Sequence, residues 1–408
     1  MIGFRAFGRR KISFLTLLSL AALVTACSSG GTSTSTSTST TTNGKASPFV
    51  VGVIGSFTGA DASVFGTFPQ AIQAWASWTN AHGGVAGHPV DLIVKDDGLV
   101  TATSITDAHE LISQDHAAVL LSSSTAEISW APYAAAEKVP VIDLESLSLN
   151  KYFFASGTPL DPTGSYGAYA EAKKSGGKSV AFFYCNEIAQ CSQAVPSAKS
   201  DAKQAGMQFA YAGSYSDSEP NYTSQCIAAR AAKANVINVF GSPADQIEVA
   251  RSCVQVGYKF ILVSSSANFT NAWLAYSQLN GAIEDSPDFP TPVDTTPATK
   301  AFHAAMAQYA PSTVKSTGYG EPDAVAWTMG QEAASALELA HVNSDSPITS
   351  ATILNGLFAM NGDTLDGLSP PLTFTQQANE NTKINCWFTQ TIANQQFTAP
   401  DGLTLSCV

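Results

Sequence analysis

Short apolar runs alternate along this chain with stretches in which apolar residues recur every three or four positions. Residues 50–55 (VVGVIG) form a continuous apolar run, the pattern of a strand buried on both faces. A Gly- and Ser-containing loop follows at 56–67. Pro69 then opens a helix, a position where its missing N–H costs nothing. Ile72, Trp75, Ala76 and Thr79 give that helix one apolar side, and His82-Gly83-Gly84 ends it. A second strand at 90–94 leads into Asp96-Asp97-Gly98. Ile105, Ala108, Leu111 and Ile112 mark a helix, 117–121 a third strand, 126–138 a helix and 139–142 a fourth strand. Strand–helix alternation at this spacing predicts a parallel sheet with helices on both faces. The pattern then restarts, with strands at 179–184, 209–213, 236–240 and 260–263 and helices at 192–205, 223–233 and 244–256.

Two such units predict an α/β protein of two Rossmann-like lobes. From residue 48 onward there are roughly 360 residues, more than a single hydrophobic core usually serves. Pro-rich breaks at 158–162, 287–292 and 369–371 are read as three passages between the lobes. Helices at 297–310, 321–340 and 350–359 then return to lobe one, and a hairpin of 384–389 and 396–405 to lobe two. The expected division is 48–160 with 291–369 for lobe one, and 161–290 with 370–408 for lobe two.

The first residues follow a different pattern. Arg5, Arg9, Arg10 and Lys11 precede an apolar run at 12–24, and Val24-Thr25-Ala26-Cys27 closes it. This is the layout of a signal peptide, 1–26, and the run is short of the ~20 residues a spanning helix needs. The residues before Cys27 resemble a bacterial lipobox, in which the Cys sulfur takes a diacylglycerol. Residues 27–47 are then a lipidated Cys and a Ser/Thr-rich linker that cannot bury a core. About twenty flexible residues span roughly 25 Å. The expected location is extracytoplasmic, held to the outer face of the cell membrane by lipid alone.

Composition narrows the partners. Loss of 1–26 removes four basic residues and no acidic one, moving the formal charge from −12 to −16. Such a body is a poor partner for nucleic acid. Seven Cys less Cys27 leave six, which allow fifteen pairings. Position on the predicted elements favours three of these. Cys185 ends a strand and Cys191 opens the next helix. Cys226 and Cys253 sit on successive helices of one sheet, and Cys386 and Cys407 flank the terminal hairpin. No Cys-x-x-Cys occurs, and no metal or other cofactor is expected. The six His form no His-Glu-x-x-His, and no Gly-x-Ser-x-Gly elbow is present. Gly176-Gly177-Lys178-Ser179 lacks the earlier Gly of a phosphate loop and precedes a strand rather than a helix. No enzyme is expected.

Two long segments carry a family resemblance. They are "VVGVIGSFTGADASVFG" and "AIQAWASWTNAHGGVAGHPVDLIVKDDG". Together with "AVLLSSSTAEISWAPYAAAEKVPVID" and "VINVFGSPADQIEVARSCVQVGYK", the chain resembles the type I periplasmic binding proteins. It is similar in particular to their leucine/isoleucine/valine-binding branch, which serves ABC importers of amino acids. The resemblance implies a ligand held between two hinged lobes near the carboxyl ends of the strands. It implies that Ser124 or Thr125 holds an anionic group of that ligand, where hydroxyls and backbone N–H groups follow a strand. It places Ser146 and Ser148 in a second ligand loop, and Phe65 where the amino-acid binders carry an aromatic hydroxyl. Trp130 is a further candidate for lining the cleft.

The acid that clamps an ammonium group in that branch matches Ser265, which is no acid. The lobe-two Tyr matches a position near Ala189, and Glu187 is a candidate replacement for the acid from a neighbouring loop. An amino acid, another carboxylate or an apolar metabolite is the expected ligand, an ABC permease the expected partner and a monomer the expected state. A ligand sensor on the same fold is the first alternative, and a secreted hydrolase is the alternative of another class.

Overall fold

The computed structural model describes residues 46–144, 150–157, 165–186, 189–216, 218–219, 221–265, 267–376 and 384–408. Cys27, most of the linker, Glu145, Ser146, Ser148, Glu187 and the first expected passage at 158–162 lie outside those residues.

The first sheet holds β1 (Phe49–Gly55), β2 (Val90–Asp96), β3 (Val119–Ser123), β4 (Val141–Asp143) and β5 (Phe153–Ala155). Their order is β2-β1-β3-β4-β5, and every pairing is parallel. Val53 lies between Val94 and Leu121, so β1 is central and all but one of its residues are buried. Its side chains alternate between two apolar layers, as a strand covered on both faces requires. Phe49, Val51 and Val53 pack with Trp75 and Trp327, whereas Ile54 packs with Leu111, Trp130 and Phe153. Helices Pro297–Tyr309, Glu321–Leu339 and Ser350–Leu357 supply Phe302, Trp327, Leu337 and Leu357 to the first of these layers.

The helix expected over 126–138 is divided into a 3₁₀ turn, Glu127–Ser129, and the helix Ala131–Glu137. Pro132 has no N–H to give to the carbonyl of Ile128, so one continuous helix cannot form there. The break also turns Trp130 inward, where its Nε1 donates to Ser104 at 3.0 Å.

In the second lobe β6 (Ser179–Cys185), β7 (Gln208–Tyr215), β8 (Val236–Phe240), β9 (Ile261–Ser265) and β10 (Ile283–Ser286) run parallel. A two-stranded ribbon, β11 (Asn361–Asp363) and β12 (Leu372–Thr373), stands apart. β13 (Cys386–Ala393) joins β10 antiparallel, β14 (Gln396–Thr398) extends the edge, and β15 (Ser406–Cys407) pairs back onto β13. The sheet order is β14-β13-β10-β9-β8-β6-β7. Disulfides join Cys185 to Cys191, Cys226 to Cys253 and Cys386 to Cys407, with Cα separations of 5.3, 5.0 and 4.0 Å. These are the three pairs expected from the sequence.

The chain passes between the lobes three times. It does so between β5 and the helix Ser165–Lys174, between β10 and the helix Pro297–Tyr309, and before β13. Leu372, Phe374 and Ile384 pack in the first lobe's apolar layer, so the third passage falls between Ile384 and β13 rather than at the Pro-rich break at 369–371. The first two passages touch. Gly157 has a φ of +74°, and a Cβ there would lie 2.5 Å from the carbonyl oxygen of Pro287. Only glycine meets both conditions.

Candidate functional site

The loops at the carboxyl ends of the two parallel sheets face each other. Helix Ala62–Phe65, which follows β1, comes within 8 Å of helix Pro243–Gln255, which follows β8. Ligands of open α/β sheets bind in crevices outside such strand ends.

Asp97, at the end of β2, organises the first lobe's side of this seam. It is 2% exposed. Oδ1 accepts from the Ser56 hydroxyl at 2.8 Å and from the Leu99 N–H at 3.0 Å, and Oδ2 accepts from the Ser124 hydroxyl. The order of donors follows. Trp130 donates to Ser104, Ser104 donates to Ser124 at 3.0 Å, and Ser124 donates to Asp97. Ser124 is fully buried, and its oxygen also accepts from the Ala126 N–H at 3.2 Å. Its hydroxyl proton is therefore committed inside the protein. Thr125 is exposed, and its Oγ1 lies 3.4 Å from the Ser56 Oγ.

This gives a sharp contrast between neighbours. Ser124→Ala should cost about 1–3 kcal/mol in urea unfolding, because it removes one donor to a buried carboxylate and the acceptor of Ser104. Thr125→Ala should leave the unfolding midpoint unchanged.

Burial alone would raise Asp96, but hydrogen bonds from the Thr58 side chain and from the N–H groups of Gly98, Phe57 and Thr58 outweigh it and hold the carboxyl below the usual range. Asp96 thus fixes the loop after β1 against the loop after β2. Asp61 differs. Burial first, and then the charge of Asp97, pushes its carboxyl up to about 6. Asp61 Oδ2 and Ser63 Oγ are inaccessible and have no hydrogen-bond partner. Sequence reasoning passed over both, because an Asp and a Ser in a Gly-rich loop look like solvated turn residues.

Phe65 is 4% exposed and packs in the first lobe's apolar layer, and Trp130 packs against Phe153 on the opposite face of the sheet. Ser265 is half-buried, 3.4 Å from the Ser165 hydroxyl. Asp285, which is buried, stands directly opposite Ser265 across β9 and β10, and Glu284 is paired with the neighbouring Ser264. Glu284 is fully buried and accepts from the Asn268 and Phe269 N–H groups at 2.7 and 3.0 Å. Hollows of about 560 and 400 Å³ lie elsewhere, lined by residues that include Ile261 and Asn280, and are no part of this seam. Among the described residues no group of three or more His, Cys, Asp or Glu is placed to hold a metal ion, and no helix is long and apolar enough to cross a membrane.

Two parallel sheets joined by three passages, with polar loops facing across the join, define a two-lobed binding protein of the type I periplasmic architecture. Residues 48–396 match the family model described as periplasmic binding protein, and the chain belongs to that family. Solved structures agree in fold. A branched-chain amino acid ABC transporter protein from Thermus thermophilus with bound valine is 16% identical, with a TM-score of 0.75 over 88% of this chain and 96% of that one. A fatty acid ABC transporter substrate-binding protein from Thermomonospora curvata is 19% identical, with a TM-score of 0.69 over 89% and 91%. A leucine-binding protein from Thermotoga maritima is 15% identical, with a TM-score of 0.68 over 86% and 97%. No curated protein is similar enough to match. Family and neighbours are binding proteins, and the family is extracytoplasmic.

Proposed function

We propose that this protein captures a small molecule between its lobes, without turnover, and presents it to the permease of an ABC importer. The observation that carries this reading is the seam itself. Polar groups without partners, Asp61 Oδ2 and Ser63 Oγ, stand where the short helix after β1 approaches the second lobe. A ligand touching both lobes stabilises the arrangement in which they meet. Retention of an endogenous small molecule through gentle purification, detected by native mass spectrometry and recovered unchanged, tests the reading. A product of bond cleavage in place of the ligand would overturn it.

The ligand class follows from charge. The loops at 56–67, 96–100 and 124–130 carry Asp61, Asp96, Asp97 and Glu127 and no Lys or Arg. A ligand carboxylate at Thr125 would lie close to Asp97, which disfavours it. Ser265 is no acid for an ammonium group, and the two acids beside it in the sheet are buried, Glu284 against the Asn268 and Phe269 N–H groups and Asp285 against Gly167. Leucine, isoleucine and valine should therefore bind weakly or not at all. Titration calorimetry checks this, and sub-micromolar leucine affinity would refute it. A ligand that presents a hydrogen-bond donor, and no carboxylate, to the first lobe suits these residues better.

The proposed anchor is a lipid on Cys27, followed by the Ser/Thr-rich linker. It would keep the receptor beside its permease. Cys27→Ala should release the protein from membranes or leave it unprocessed, as read by fractionation and intact mass. Full retention of a correctly cleaved variant would count against the anchor.

A further inference from the structure

A second seam between the lobes is built from backbone. Asn271 N–H donates to Tyr319 O at 2.8 Å, Ala272 N–H to Thr317 O at 2.8 Å and Glu321 N–H to Phe269 O at 2.9 Å. Phe269 and Ala272 pack in the second lobe's core, and Glu321 begins a helix that packs in the first. Phe269 links two acids, since its N–H donates to Glu284 on β10 at 3.0 Å and its carbonyl accepts from the Glu321 N–H at 2.9 Å, and the Glu321 carboxyl faces Glu284 across the seam. Both are fully buried.

The donors around the two acids are unequal. Glu284 accepts from the Asn268 and Phe269 N–H groups and from the Ser264 hydroxyl. As an anion, Glu321 would have the Ser286 hydroxyl as its one facing donor, against three donors at Glu284. One proton on Glu321, given to Glu284, satisfies both groups. The described side chains that face the pair are acids and hydroxyls. Asp288 and Ser286 face Glu321, and Asp323 sits two residues further along the same helix, bonded to the Gly320 N–H and to Thr67. Glu332 lies beyond it, near Asp288 and Asp363. On the other side Asp285 points toward Gly167 of the helix Ser165–Lys174. Ion pairs seen among the described residues, Lys95–Glu110, Lys174–Glu171 and Arg251–Glu248, lie elsewhere. The amino end of a helix ordinarily favours a carboxylate by about 0.3–1 kcal/mol. Burying a second unpaired anion costs several kcal/mol and outweighs it.

We infer that Glu284 and Glu321 share one proton across the seam, and that this proton holds the lobes in the arrangement described here, so that they separate as the pair ionises. Burial pushes the Glu321 carboxyl well above its ordinary range, and the charge of Glu284 pushes it further in the same direction. A state in which the lobes part and water reaches both acids releases the proton. Raising the pH therefore favours parting, and lowering it favours contact.

Small-angle scattering on the ligand-free protein at pH 5 and pH 8 tests this. The radius of gyration, roughly 21 Å for a body of this length, should increase by about 1 Å at pH 8. In Glu321→Gln the amide donates to Glu284 at every pH, so the radius should stay at its pH 5 value. Glu284→Gln keeps an acceptor for the Phe269 N–H and should behave likewise. An unchanged wild-type radius would overturn the inference whether or not the variants fold. So would a folded Glu321→Gln that still expands at pH 8, since Asp288, Asp323 and Glu332 remain in it.

Discussion

Gly320→Ala is expected to lower the urea midpoint markedly and to enlarge the protein in solution. A Cβ at Gly320 would lie 2.0 Å from the Phe269 carbonyl oxygen, 2.7 Å from the Thr270 Cα and 2.9 Å from the Phe269 carbonyl carbon. All three are backbone atoms of the other lobe, so no side chain can swing aside. Nor is Phe269 free to retreat. It is fully buried, its ring centroid is 4.8 Å from Trp273 and 5.5 Å from Phe397, and its carbonyl accepts from the Glu321 N–H. Overpacking usually costs about 1–3 kcal/mol. A contact made wholly by backbone should reach the upper end of that range unless the lobes part. Gly318→Ala is the control on the same loop. Its Cβ would meet only the Thr67 side chain, with Cγ2 at 3.2 Å, and should cost little. Equal, small effects at 318 and 320 would mean that the lobes are not joined through Gly320 and Thr270.

Stability should fall as pH rises from about 4 to 8, because Asp323 is an acid that folding makes weaker. Its carboxyl is fully buried, and burial pushes it up to about 7 against the opposing hydrogen bonds from the Gly320 N–H and the Thr67 hydroxyl. The sign is fixed by proton counting. Between the ordinary value of 3.8 and about 7 the native state holds a proton that the unfolded chain has lost, so raising the pH favours unfolding. A shift of this size corresponds to about 4 kcal/mol between the acid side and pH 8. Asp288 and Glu332 are displaced in the same direction by burial. Urea unfolding across this range should show the decline, and Asp323→Asn should flatten much of it while keeping an oxygen for the Gly320 N–H. A midpoint that is constant or rising from pH 5 to pH 8 would show that these acids are not buried as described.

What could be read from the sequence was whatever is decided within one element. The run Val50 to Gly55, the similar runs in β3, β6 and β8, and the helix at Phe68–Ala81 follow from local hydropathy, Pro69 and the Gly83-Gly84 stop. Two successive α/β units require two lobes, and the strand–helix map brings the six Cys together in pairs. β5 and β10 were missed because three or four residues carry too little pattern to separate from a loop. The helix Ser165–Lys174 was missed because its Gly and Ala residues give it a faint apolar side. The helix after β3 was read through Pro132, whose effect depends on where the preceding turn ends.

The candidate site was legible in place but not in role. Ser124 and Thr125 do follow a strand at the seam, yet which hydroxyl stays free depends on Asp97 and Ser104, residues brought in from other elements. Glu284 and Glu321 lie on different lobes, and in sequence each looks like an ordinary charged surface residue. Only the packing of one lobe on the other removes water from both acids at once and makes a shared proton cheaper than two charges.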